Sequence, residues 1–263
     1  KKEIIRKLKK EDFLKYRGEH YVAQATTVVL TGNFEENEAV KKLADTFQAM
    51  PAAKKFGKIE TVEKQDEPQI LVQYKSSDQT HLVIGCRTFN LFNERRFAAE
   101  VLADVLGGGM SSRLFQRVRE QLGAAYYVGA ESNHHTDCGQ FVVRAGVDNQ
   151  KAQLVLGAIL EEMEKLAKEK VSDEELQRAK DHLSGNLIMD LETSDAQAIF
   201  YGYQEILEKS IMTIDGVLKK IQAVTAEDLL EVAGFIFQNN KLNLSLVGPF
   251  QAQEEFKKVL HFS

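Results

Sequence analysis

Apolar residues recur at helical spacing through most of this chain and cluster over only a few short runs. Leu114, Val118 and Leu122 share one face of residues 113–122, and Phe97, Val101, Leu102 and Val105 share one face of residues 94–106. Both stretches predict amphipathic helices. Residues 149–170 predict a longer one, with charges gathered in Glu161-Glu162-Met163-Glu164-Lys165. Further helices are expected at 11–20, 37–47, 172–190, 194–209, 214–222, from 227 onward, and at 253–260. β-Branched and aromatic runs at 26–31, 70–74, 81–86, 125–130, 140–145 and 242–247 predict strands, and the turn-rich residues 133–139 join two of them as a hairpin. Alternation along 125–130 would send Tyr126 and Tyr127 to opposite faces of the sheet.

The punctuation is strongest at Leu106-Gly107-Gly108-Gly109-Met110-Ser111-Ser112-Arg113-Leu114-Phe115. Three glycines break one helix and permit backbone shapes closed to other residues, and the two serines are expected to cap the helix that follows. Gly123 ends that helix. Ser172-Asp173-Glu174-Glu175 predicts a capping box, and Thr225-Ala226-Glu227-Asp228 a second N-cap. Many helices and hairpin-type strand order argue an α+β fold, a largely antiparallel sheet with helices packed on one face.

The two ends of the chain also match each other. Asp12 and Asp228, Gly32 and Gly248, and Phe34 and Phe250 each stand 216 positions apart, within a shared order of helix, strand, Gly-x-Phe turn and helix. Residues 1–60 are therefore expected to be the C-terminal tail of a truncated first repeat, 61–67 a linker within the polar stretch 50–68, and 68–263 a complete second repeat. The chain is expected to begin inside a larger protein.

Composition narrows the function. With 43% hydrophobic and 28% charged residues over 263 positions, the chain supports a sizeable core. A net charge of −5 supplies no basic field, and the lysine-rich opening is short, so no nucleic-acid partner is expected. No apolar run approaches the ~20 residues that span a bilayer. Cys86 and Cys138 form no C-x-x-C pattern and read as two reduced, buried thiols.

The glycine-rich segment, followed by Val118-Arg119-Glu120-Gln121-Leu122-Gly123-Ala124-Ala125-Tyr126, resembles the second domain of the pitrilysin or insulinase family of zinc peptidases. Residues 11–34 resemble the end of that family's first domain, and Asp78-Gln79-Thr80-His81 the start of its second. The resemblance implies repeated α+β domains enclosing a chamber. It implies an arginine and a tyrosine seven residues apart that contact substrate from across the chamber, a spacing that Arg119 and Tyr126 have. It also implies a substrate-handling role for Gly107, Gly108 and Gly109, and for Met110 beside them. A guanidinium offers fixed donors to peptide carbonyls, and a phenol can donate to a developing oxyanion.

The family's inverted zinc motif, H-x-x-E-H, does not occur in these 263 residues. In the equivalent helix of the second repeat the family histidines would fall near Glu100 and Asp104, and the general-base glutamate near Ala103, a set that cannot replace zinc's nitrogen ligands. No cofactor is expected in this chain, and zinc is expected in an upstream domain. The leading expectation is the C-terminal part of a zinc metalloendopeptidase, with this chain inactive alone. Its expected partners are its own upstream zinc domain or a zinc-bearing subunit, a peptide substrate, and a second subunit in a homo- or heterodimer. The alternative is a non-catalytic family subunit that acts as a scaffold or partner of a separate zinc-bearing subunit.

Other constellations carry less. Gly107-Gly108-Gly109 lacks the Lys-Ser/Thr pair and preceding parallel strand of a phosphate loop. His134-His135 with Asp137 and Cys138 reads as a polar hairpin tip, because adjacent residues on a turn splay apart. His20, His81, His182 and His261 have no ligand-spaced partner, and Lys180-Asp181-His182 reads as a surface helix face.

Overall fold

The computed structural model describes residues 2–208 and 210–263. Lys1 of the basic opening and Lys209, the expected end of one helix, lie outside the described residues. Two compact units emerge, one of Lys1–Glu60 with Leu191–Ile211 and one of Thr61–Asp190 with Met212–Ser263.

The larger unit is built on five strands, β1 (Gln69–Tyr74), β2 (Gln79–Thr88), β3 (Ala125–His134), β4 (Gly139–Asp148) and β5 (Leu242–Gly248). Their order is β1-β5-β2-β4-β3, with only the β1–β5 pair parallel. β4 shows why one face is the core side, since Phe141, Val143, Ala145 and Val147 are buried while Arg144 and Asp148 are exposed. Against that face pack α4 (Arg96–Gly107), α5 (Ala152–Lys168) and α9 (Ala226–Ile236). Leu102, Leu106, Leu156, Ile159, Met163 and Leu229 fill the space between. α6 (Asp173–Asp190) and α8 (Ile214–Ala223) lie against α4. The arrangement is α+β, a largely antiparallel sheet with helices on one face.

Residues 61–67 have no regular structure yet are tied to this unit. The Thr61 amide and hydroxyl both donate to Asp137, Arg87 pairs with Glu63 at 3.2 Å, and the Gln65 side chain donates to the Leu242 carbonyl.

The smaller unit contains α1 (Lys2–Lys7), α2 (Lys10–His20), α3 (Glu36–Phe47) and α7 (Ser194–Leu207). The strand expected at 26–31 does not form. No described residue of this unit belongs to a strand, so the segment has no ladder to join; instead the Thr31 hydroxyl donates to the Ser194 carbonyl and Val29 lies against Gly202 of α7. The last helix, α10, is also shorter than expected, at Glu254–Lys257.

Two capping expectations have different outcomes. Thr225 and Asp228 make a full capping box on α9. At α6 the Ser172 hydroxyl accepts from the Glu175 amide, but the Glu175 carboxylate turns to Arg113, so only half the box forms.

Candidate functional site

The glycine-rich segment leaves α4 and packs tightly against its neighbours. None of Gly107, Gly108 and Gly109 adopts a positive φ, contrary to the expected use of glycine's conformational freedom; among the described glycines that freedom is used at Gly32 and Gly123. Space is the reason instead. A Cβ on Gly107 would stand 2.4 Å from the Ala130 amide nitrogen, and one on Gly108 would stand 1.9 Å from a carboxylate oxygen of Asp104. The serine caps do not form either: the Ser112 hydroxyl donates to the Gly109 carbonyl at 2.6 Å and closes the loop on itself. Met110 at the tip is 74% exposed.

The next helix carries its expected apolar face, with Leu114 and Val118 fully buried, but residues Phe115–Gln121 wind as a π-helix. Its last bonds reach back five residues or more, Leu122 to Arg117 and Ala124 to Val118, before Gly123 turns the chain at φ 53°. Such wide turns are costly and concentrate at functional sites. Arg119 sits in this helix, exposed, with its guanidinium 5.0 Å from the centre of the Phe115 ring.

A second irregularity follows at once. In the β3–β4 ladder Ala125 pairs with Val147 and Tyr127 with Gly146, which leaves Tyr126 as the extra residue of a bulge. Ala125 and Val128 both pack against the core, so the two tyrosines between them are both exposed, Tyr126 by 57% and Tyr127 by 44%. The alternation expected of these two tyrosines fails here because the bulge inserts a residue. The Tyr127 ring lies so close over Gly146 that a Cβ there would come within 2.3 Å, and its hydroxyl meets His81 Nδ1 at 3.0 Å. The structure thus brings the loop, the π-helix and the start of β3 into one neighbourhood, with Arg119 and Tyr126 both open to solvent.

On α4 the two carboxylates expected to fall near the family histidine positions, Glu100 and Asp104, are each engaged by a histidine. Glu100 stands 3.8 Å from His134 Nε2, and Asp104 accepts from His182 Nδ1 at 2.7 Å. Burial pushes the Asp104 carboxyl above its ordinary value, and the His182 hydrogen bond opposes the shift. Among the described residues no group of three or more His, Cys, Asp or Glu side chains is placed to hold a metal. These residues do not fit zinc.

His182 therefore has a partner that spacing along the chain did not show, and Lys180 is buried, donating to the Gln222 carbonyl. Of the surface face expected at Lys180-Asp181-His182, Asp181 and His182 are exposed and only Lys180 is turned inward, toward α8. The signal available in the sequence was Asp104 itself, a charge among Val101, Leu102 and Val105 that needs a partner when buried. The hairpin tip is also shorter than expected. β3 continues to His134, whose side chain is only 5% exposed, held by the Phe89 carbonyl at 2.7 Å and Ser132 at 3.1 Å. Cys86 is buried and its thiol is pushed up to about 12 by that burial, whereas Cys138 is only half-buried.

Comparison with known proteins places these features in a family. A profile described as the peptidase M16 inactive domain matches residues 7–183. An uncharacterized zinc protease of Streptomyces coelicolor is 31% identical over 244 residues, covering 89% of this chain and 52% of the relative. One from Bacillus subtilis is 28% identical, covering 89% and 56%. The chain thus spans about half the length of the curated relatives it matches. Among solved structures, a protease from Helicobacter pylori superposes with a TM-score of 0.85 at 19% identity, over 93% of this chain and 60% of that one. A peptidase M16 inactive domain from Pseudomonas fluorescens gives 0.84 at 19% identity, over 94% and 59%. At that identity the likeness shows the fold alone, and it is the profile over residues 7–183 that shows this chain to belong to the peptidase M16 family, through its inactive domain.

Proposed function

We propose that this chain is the non-zinc part of a zinc metalloendopeptidase, contributing a chamber wall and substrate contacts to a site whose zinc is held by an upstream domain or a separate subunit. The observation that carries the reading is the run from Gly107 to Tyr126, where a closely packed loop, a π-helix and a β-bulge follow one another and leave Arg119 and Tyr126 exposed. Arg119 offers its planar donors to the carbonyls of a peptide backbone. Tyr126 donates its phenol proton into a hydrogen bond with the oxyanion that develops on the scissile carbonyl. Gly107 to Gly109 serve substrate handling by letting the loop seat closely on Ala130, Asp104 and His182.

The same reading assigns residues 1–60 to the close of a preceding repeat and 68–263 to the second, in a parent that works as a homo- or heterodimer. The test uses that parent with its upstream half. Tyr126→Phe keeps the ring and removes the donor, so kcat should fall roughly 10²-fold with KM little changed. Arg119→Ala should raise KM. The 263-residue chain alone should bind no stoichiometric zinc and cleave no peptide; one tightly held zinc with chelator-sensitive cleavage would overturn the assignment, and a parent lacking H-x-x-E-H would leave a zinc-bearing partner subunit as the source of the metal.

A further inference from the structure

The glycine-rich loop is gripped from outside at both of its ends, and both grips come from α6. At the entry, His182 donates to Asp104, and Gly108 packs against that carboxylate with no room for a Cβ; His182 itself lies 3.4 Å from where a Gly109 Cβ would be. At the exit, Glu175 takes Arg113 in a bidentate pair, Nε to Oε1 at 2.7 Å and Nη2 to Oε2 at 2.8 Å. His182 and Glu175 are seven residues apart, two turns along one helix face. Between them lies a cavity of about 250 Å³, lined by Asp104, Gly109, Met110, Ser112, Glu175 and His182. The loop's own bonds are few: Gly108 N–H to the Asp104 carbonyl, Ser112 N–H and hydroxyl to the Gly109 carbonyl, and the Gln116 side chain to the Met110 carbonyl.

We propose that α6 is a two-point clasp that sets the position of the glycine-rich loop, with His182 holding the entry through Asp104 and Glu175 holding the exit through Arg113. Releasing either point lets the loop swing into or away from the cavity beneath it and moves the exposed Met110 tip. The helix is suited to this because its two grips reach α4 and the start of the helix after the loop, while Lys180 donating to the Gln222 carbonyl and the Gln222 side chain donating to Ser184 anchor it to the end of α8. Asn186, one turn further on, meets His182 Nε2 at 3.2 Å and fixes the ring from its far side. The clasp concerns the loop in this chain alone and stands whether or not the parent is a peptidase.

Amide hydrogen exchange on the 263-residue chain tests it, with Gly108 and Ser112 as loop reporters and Val143, in the β2–β4 ladder, as the reference. His182→Gln and Glu175→Gln should each lower protection at both loop amides about tenfold, the scale of one lost charge-assisted hydrogen bond, and leave Val143 unchanged. Arg178→Ala, which alters the same cavity wall without touching either grip, should leave all three unchanged. Because the His182 side chain is 40% exposed, its variant keeps the core intact. Unchanged loop protection in either variant overturns the two-point clasp. So does an equal loss at Val143, which would mark a general destabilisation, or loosening confined to the end nearest the substitution.

Discussion

Gly108 and His134 show how much a single position depends on what lies across from it. A methyl at Gly108 would strike the Asp104 carboxylate, which is held in place by His182, so Gly108→Ala should destabilise the chain by about 1–3 kcal/mol, as overpacking does. Urea denaturation of the variant checks this, and an unchanged midpoint would mean that Asp104 moves aside freely. His134 is held below the ordinary histidine range mainly by burial, with Arg96 and His135 adding to the effect and the Phe89 carbonyl opposing it. The unfolded chain then takes up the proton first as the pH falls. Stability from the neutral ring is present above the ordinary value of about 6.5 and is lost as pH falls through it toward the folded value. The Tm of the wild-type chain should therefore drop more between pH 7 and pH 5 than that of His134→Gln; parallel curves would remove His134 from the account. At this scale the sequence displays a residue's chemistry but hides its partner. Asp104 announces itself as a charge on an apolar helix, yet nothing adjacent in the chain names His182, and the bulge that exposes Tyr126 leaves no mark in the alternation around it.

Elements were more legible, because periodicity and caps are local. α2 at Lys10–His20 and α9 at Ala226–Ile236 have equal length and the same 216-residue offset that relates Gly32 to Gly248, and the short turns Ala23–Ala25 and Asn239–Lys241 keep it. The offset then reaches a stretch where outcome and sequence part. Leu242–Gly248 becomes β5 because β1 and β2 flank it, whereas residues 26–32 find no strand beside them and take no regular structure. A strand is a property of a pair, and the apolar pattern of one partner cannot supply the other. Capping can be compared in the same way. Thr225 holds α9 through a complete box, while Ser172 shares its task with a glutamate diverted to Arg113. Thr225→Ala should cost about 1 kcal/mol, within the usual range for losing a cap, and Ser172→Ala less. Chemical denaturation of both variants decides the order, and a larger loss at Ser172 would reverse it.

Over the whole molecule, the two units differ sharply in what they bury. The larger unit holds nearly all of the apolar core, whereas among the described residues of the smaller one only Val22 and Leu191 are buried apolar side chains, and α1, α2 and α3 bury none. Phe13, Leu14, Tyr16, Val28, Leu30 and Phe34 stand exposed on it. Local sequence pattern shows where a helix forms but not what meets it, which is why the grouping of residues 191–211 with the first sixty was not legible. So small a buried core offsets little of the entropy of ordering these segments, and local opening is governed by that balance. Amides of α2 and α3 should therefore exchange several orders of magnitude faster than those of Phe141 to Ala145 in the isolated chain. The relatives are about twice as long, and on the proposed reading their additional residues include the rest of the first repeat, whose apolar surface would cover Val28 and Leu30. Exchange in the full-length parent should then show α2 and α3 slowed toward the rate of β4, with β4 itself unaltered. Equal protection of α2 and β4 in the 263-residue chain as a monomer would show that the smaller unit is stable by itself and would remove the need for a covering repeat.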